Sequence, residues 1–197
     1  MSIEQIYATP IYSTIVNNKS IRRQIEQTLK TTEWGMISNW GHTHLLSSNP
    51  FQGNVISKLA SFQKELDYHI KKYTEFYEFY YKSYIIVNSW YSRFEKGHYG
   101  HVHDHGDSDI SGVYYYQTNG NDGDLFFRSP NPFFKSSPTF NALKGTRRIT
   151  PEEGRLVLFP GWLEHGINTN MTEDTRISLS FNIRFSRDVK EWNLVRN

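Results

Sequence analysis

The chain has 197 residues, enough for one domain with a proper hydrophobic core. Its 22 Lys and Arg against 20 Asp and Glu leave a formal net charge of +2, a balance that disfavours nucleic acid or an anionic membrane as partner. The lack of any cysteine excludes disulfides, thiolate metal sites and thiol catalysis.

The start, Met1-Ser2-Ile3-Glu4-Gln5, has no basic stretch followed by an apolar one, and no apolar run approaches the ~18 residues that span a bilayer. The expectation is a cytoplasmic protein with no membrane contact, free to form a homo-oligomer. The 13 Tyr, 13 Phe and 5 Trp suit strands and pocket walls, and they suit a plain β-rich core equally well.

In chain order, residues 6–16 read as a strand interrupted by Pro10, which places it at a sheet edge. Asn18 or Ser20 caps a helix whose apolar stripe is Ile21, Ile25 and Leu29. A stretch broken by Gly35, Gly41, Pro50 and Gly53 holds at most a short strand at Thr43–Ser47. A second helix runs from about Asn54 to Tyr73, on the stripe Ile56, Leu59, Phe62 or Gln63, Leu66 and Ile70.

From Phe79 the pattern turns to strands, at Phe79–Phe94, 110–118, 124–128, 155–159, 165–169 and 176–185. Turn signals at Asn119–Gly123, Pro130-Asn131-Pro132, Glu153-Gly154 and Pro160-Gly161 separate them. The segment from about 130 to 148 reads as a long loop, a lid or a variable surface loop. It carries a small basic spot at Lys144, Arg147 and Arg148. Helices first and then short, regularly spaced strands give a mainly β, α+β chain with a sandwich or jelly-roll body. One domain covers 1–197, with helical support over about 1–75 and a β core over about 79–187.

Four histidines fall between His98 and His105. On a strand His101, His103 and His105 share one face, and two imidazoles two residues apart can bind one divalent ion. His165, after Pro160-Gly161-Trp162-Leu163-Glu164, ends one apolar strand and begins another, and it supplies a third imidazole. Imidazole suits iron, zinc, copper and nickel alike, so this ligand set does not choose the metal. Taken alone, the cluster also fits solvated, loop-borne histidines. His105-Gly106-Asp107 offers a second register, in which Asp107 replaces His103.

The last strand puts Arg176, Ser178, Ser180, Asn182 and Arg184 on one face. Ile177, Leu179, Phe181, Ile183 and Phe185 fall on the other, which should pack on the two helices. The short polar side chains Ser178, Ser180 and Asn182 are unusual for a free surface and suit a polar cavity. An arginine there can hold a carboxylate bidentately, with Ser178 as a further donor. On the neighbouring strand Tyr115 points opposite to Tyr114 and Tyr116.

These residues resemble the 2-oxoglutarate–Fe(II) oxygenases of bacteria and their phages, relatives of the prolyl 4-hydroxylase group. The likeness runs through Ala8-Thr9-Pro10-Ile11-Tyr12, Ser89-Trp90, His103-x-His105, Ser111-Gly112-Val113-Tyr114-Tyr115 and Gly123-Asp124-Leu125-Phe126-Phe127. It continues in Leu158-Phe159-Pro160, Trp162-Leu163-x-His165 and Arg176–Asn182. The resemblance implies a double-stranded β-helix and an enzyme using Fe(II), 2-oxoglutarate and O2. Such an enzyme hydroxylates a small-molecule or peptide substrate, releasing succinate and CO2.

By carry-over His103, His105 and His165 are metal ligands, although the family expects His-x-Asp where this chain has His103-x-His105. Arg176 with Ser178 and Tyr115 then hold the co-substrate, and Trp90 and Asn182 line the substrate pocket. Two rival readings fit part of the pattern: a cupin-like metal enzyme that does not use 2-oxoglutarate, and a non-catalytic jelly-roll binding protein. The substrate itself is not legible.

Overall fold

The computed structural model describes residues 8–36, 44–47, 53–131, 136–139 and 145–186. Met1–Gln5, residues 6–7 of the first expected strand, Gly41, Thr43, Pro50, and residues 132–135 and 140–144 of the expected 130–148 loop lie outside them.

The elements are β1 (Tyr12–Ile15), α1 (Lys19–Leu29), β2 (Leu45–Leu46), α2 (Ala60–Phe76), β3 (Tyr84–Phe94), β4 (Gly100–His103), β5 (Ile110–Gln117), β6 (Leu125–Arg128), β7 (Thr146–Ile149), β8 (Arg155–Pro160), β9 (His165–Ile167) and β10 (Arg176–Phe185). They form a six-stranded sheet in the order β1-β8-β5-β10-β3-β2 and a four-stranded sheet in the order β4-β9-β6-β7. Every pairing between these strands is antiparallel. As Pro10 suggested, β1 is an edge strand, bonded on one side only, to β8.

Asn18 caps α1, its Oδ1 accepting from the backbone N–H of Ser20 at 2.9 Å and of Ile21 at 3.4 Å. Ile21 and Ile25 on α1, with Phe62, Leu66, Ile70 and Tyr73 on α2, pack against Tyr114, Leu156, Leu158, Leu179, Phe181 and Ile183. The helices thus cover one face of the six-stranded sheet.

The residues alternate with those on the other face, where Val113, Tyr115, Val157 and Phe159 meet Leu125 and Phe127 of the four-stranded sheet. Period-2 alternation therefore sends one side chain to the helices and the next into the space between the sheets. On β10 the inward set is Arg176, Ser178 and Asn182, all buried, with Ser180 half-buried.

Three boundaries depart from expectation. A single 3-10 turn at Ile56–Lys58 precedes α2, which starts at Ala60 and runs on to Phe76. Glu78 takes a positive φ of 53°, and the strand that was expected from Phe79 begins at Tyr84. Part of the expected long loop is β7, whose Arg147 and Arg148 pair with Phe127 and Phe126. A run of Thr-Arg-Arg-Ile is too short and too charged to read as a strand until a partner satisfies its backbone.

Candidate metal centre and co-substrate pocket

Three segments bring the histidines together. His103 closes β4 and pairs with His165, the first residue of β9. His105 lies just beyond β4, in the connection to β5. That connection is stitched to the β8–β9 turn by backbone bonds: His105 N–H donates to Gly161 O at 2.7 Å, and Gly161 N–H donates to Asp109 O at 3.1 Å.

The stitch requires glycine, since a Cβ on Gly161 would sit 2.1 Å from the Ser108 carbonyl oxygen and 2.9 Å from that of His105. Gly161→Ala should therefore cost stability, about 1–3 kcal/mol as for an overpacked site. It should also weaken metal binding, because the His105 backbone must shift. Chemical unfolding and metal titration of this variant test both.

The nitrogen ligand atoms of His103, His105 and His165 all lie within 4.8 Å of one another. Their ring centroids are 4.4 to 5.2 Å apart. Nδ1–H of His103 donates to the His101 carbonyl at 2.7 Å, and Nδ1–H of His165 donates to the Leu163 carbonyl at 2.9 Å. A carbonyl only accepts, so both rings are fixed as the tautomer whose Nε2 carries the lone pair. Burial, reinforced by the neighbouring imidazoles, pushes His105 down to about 4 and His165 down to about 3. His103 is held below its usual value mainly by burial. All three are therefore neutral at pH 7, the form that binds a divalent metal.

Two expectations need correction here. His101, expected to share a face with His103, is exposed and stands outside the cluster. A register shift between Gly100 and His103 breaks the alternation on which that reading rested. Asp107, the alternative ligand, points elsewhere. Its carboxylate meets Arg184 Nη2 at 3.2 Å and its side chain is 82% exposed.

The imidazoles border a cavity between the sheets. Trp90, Ser178, Tyr115 and Asn182, all expected near the site, line it. Trp90 Nε1 donates to Ser92 Oγ at 3.1 Å, and its ring meets that of His105 edge-on at 6.3 Å. Arg176 does not itself line the cavity; it is fully buried beside two residues that do, with its guanidinium carbon 4.1 Å from the centroid of Phe94 and 6.0 Å from that of Tyr115. Nη1 donates to the carbonyls of Gly123 at 2.6 Å and Asp122 at 3.2 Å. Gly123 can present its carbonyl there because it holds φ at +104°, and a Cβ would lie 2.2 Å from Asn168 O.

Nε and Nη2 of Arg176 are sealed from solvent and, among the described residues, have no hydrogen-bond partner. Each such orphan costs roughly 1–3 kcal/mol. A buried cation with two unused N–H groups is a site prepared for an anion. Burial lowers the guanidinium's proton affinity, while Tyr115 and the nearby Asp122 and Asp124 oppose that shift. The Tyr115 phenol is pushed up to about 12 by burial, with Arg176 opposing, so it stays protonated as a donor.

Sequence reasoning missed four polar neighbours. Asn88, Ser111, Ser92 and His44 all line the same cavity. His44 stacks on Phe94 at 4.8 Å and is pushed down to about 4, by burial first and then by the other histidines. For Asn88 and Ser92 the signal was present in the alternation around Trp90. For His44, next to the two-residue strand β2, there was none.

Two antiparallel sheets enclosing an imidazole cluster and a buried arginine define a metal-dependent enzyme that handles an anionic small molecule. The chain matches the family model described as "Putative 2OG-Fe(II) oxygenase" over residues 88–182. It is an oxygenase that uses Fe(II), 2-oxoglutarate and dioxygen.

No curated protein matches the chain by sequence. Among solved structures, HygX from Streptomyces hygroscopicus, with nickel and 2-oxoglutarate bound, is 10% identical with a TM-score of 0.61, covering 89% of this chain and 83% of its own. A Pseudomonas putida prolyl-4-hydroxylase is 12% identical with a TM-score of 0.58, covering 91% and 94%. A prolyl hydroxylase from Trichoplax adhaerens, in complex with a hypoxia inducible factor peptide fragment, is 14% identical with a TM-score of 0.57, covering 94% and 87%. At these identities the likeness is one of fold. Among the described residues, no helix is long and apolar enough to cross a membrane.

Proposed function

We propose that His103, His105 and His165 hold Fe(II), and that Arg176, with Ser178 and Tyr115, receives the distal carboxylate of 2-oxoglutarate. The observation that carries this reading is the pairing of three converging neutral imidazoles with a sealed guanidinium that has two unused donors. Asp107 is the weaker alternative to His103, because Arg184 engages its carboxylate at the surface. The two facing sheets form a double-stranded β-helix. The whole chain acts as one oxygenase domain, with the helices supporting its larger sheet.

With dioxygen, the bound Fe(II) and 2-oxoglutarate supply oxidative decarboxylation to succinate and CO2 and the hydroxylation of a second substrate. The chain's own residues prepare that chemistry. Three neutral ligands leave the charge of the metal for the dianionic co-substrate. The guanidinium fork fixes the far carboxylate in a water-poor site, where a charge-assisted pair is strong. Phe94, Leu125, Phe159 and Ile167 line the cavity and keep water from it. Trp90 and Asn182 border the side from which substrate approaches.

The substrate is a small molecule or a peptide. HygX was solved with hygromycin B bound and the Trichoplax enzyme with a peptide fragment, so this fold serves both classes. Balanced charge disfavours nucleic acid.

Anaerobic addition of Fe(II) and then 2-oxoglutarate should produce a weak visible charge-transfer band that saturates at one equivalent of each. Absence of the band, with no retained co-substrate at saturating concentration, would sink the reading.

A further inference from the structure

The inner face of β10 carries a second polar group that neither the imidazoles nor Arg176 uses. Asn182 pairs in register with Ser111 on β5 and with Asn88 on β3. Ser111 Oγ donates to Asn182 Oδ1 at 2.7 Å, and Asn182 Nδ2 donates to Asn88 Oδ1 at 2.8 Å. All three residues are buried and all three line the cavity.

The relay has a direction. Ser111 Oγ meets the carbonyl end of the Asn182 amide, whose NH2 therefore points toward Asn88. Asn88 then spends its oxygen on Asn182 and turns its own NH2 away. Among the described residues that NH2 has no acceptor. Asn88 lines the cavity, so this donor is open to an acceptor oxygen that arrives there.

Position and charge narrow the acceptor. Asn182 lies six residues from Arg176, about 20 Å along an extended strand. Trp90, opposite Ser180, stands between them with its edge toward His105. Arg176 and the metal account for the two ends of 2-oxoglutarate, which leaves the Asn88 donor for another molecule. Among the described residues no lysine or arginine lines the cavity, and Asp104 is the only carboxylate that does. An anionic group beside Asn88 would be desolvated without a counter-charge, which disfavours it.

We propose that Asn88 is a specificity-determining donor to an uncharged oxygen of the substrate, of the amide-carbonyl type, and that Asn182 and Ser111 are its positioning residues. The proposal rests on the assignment of metal and co-substrate given above.

The test uses full-length, 15N-labelled protein carrying Zn(II) and 2-oxoglutarate. It is titrated in turn with N-methylacetamide, acetate and methylammonium, following the Asn88 side-chain NH2 and the Trp90 indole N–H. N-methylacetamide should shift both saturably, with a Kd at least fivefold below that of either ion. Asn88→Leu should remove the Trp90 response. The near-isosteric Asn88→Asp should transfer the preference to methylammonium, and it keeps the test open should the leucine variant fold poorly.

A wild type that binds no N-methylacetamide, or binds all three probes equally, overturns the proposal. So does an Asn88→Ser variant that loses 2-oxoglutarate affinity more than tenfold, since the donor then serves the co-substrate. A wild type that takes up neither Zn(II) nor 2-oxoglutarate instead defeats the underlying assignment, and this inference with it.

Discussion

Elemental analysis of a His165→Ala variant is expected to find less than a tenth of the wild-type iron after gel filtration, with 2-oxoglutarate consumption reduced in step. The estimate comes from ligand number. Binding of a structural divalent ion by four ligands gives roughly 10–16 kcal/mol, or about 2.5–4 kcal/mol per ligand, so losing one costs roughly 10²–10³ in affinity.

His165 is the most sensitive of the three to replace. It is 6% exposed, its Nδ1–H is anchored on Leu163 O, and its ring packs on Phe159 at 4.7 Å. His103→Ala should behave in the same way. Asp107→Asn should keep a full complement of iron and change stability by no more than about 1 kcal/mol, as for an exposed ion pair. Iron lost from the Asp107 variant and kept by the His103 variant would reverse the ligand assignment.

The second large effect is at Arg176. Arg176→Met should weaken 2-oxoglutarate binding by about 10²-fold or more, in line with the 2–5 kcal/mol lost when one partner of a buried charge pair is truncated. Stability of the co-substrate-free protein should respond quite differently. The variant gives up the bonds from Nη1 to Asp122 O and Gly123 O, and in exchange removes two orphaned buried N–H groups. Each of these terms is roughly 1–3 kcal/mol, and they oppose one another.

The melting temperature without 2-oxoglutarate should therefore move little. The stabilisation that 2-oxoglutarate gives the wild type, about 2.7 kcal/mol at 100 times its Kd, should vanish. Calorimetry with and without 2-oxoglutarate reads both numbers. A variant that retains the co-substrate shift would remove Arg176 from the site, and one that melts far below the wild type would make the guanidinium a structural prop.

Much of this site could be read from the chain because it depends on local periodicity. The alternation from Arg176 to Phe185 was enough to put Arg176, Ser178 and Asn182 on one face and Leu179, Phe181 and Ile183 on the face that meets the helices. The four-residue spacing of Ile21 and Ile25, with Asn18 ahead of them, was enough for a capped amphipathic helix. His103, His105 and His165 were legible through residue type, and the likeness to a known family gave them a joint purpose.

Alternation failed where the backbone departs from ideal geometry. The irregularity in β4 turns His101 out of the set its spacing suggested, and the connection after His103 sends Asp107 to Arg184. Contacts between distant segments left no local trace. Nothing near Asn88 announces Asn182, and nothing near Gly123 announces that its carbonyl holds a guanidinium, because those partners are chosen by how distant segments pack together.

The sequence alone determined which residues face inward and which chemical groups are available, since both follow from the pitch of a strand or helix and from side-chain identity. Only the tertiary structure decided which of those groups meet. Convergence of three imidazoles, two idle donors on a sealed arginine and an amide relay all depend on register between segments far apart in the chain, which is set by the packing of the whole.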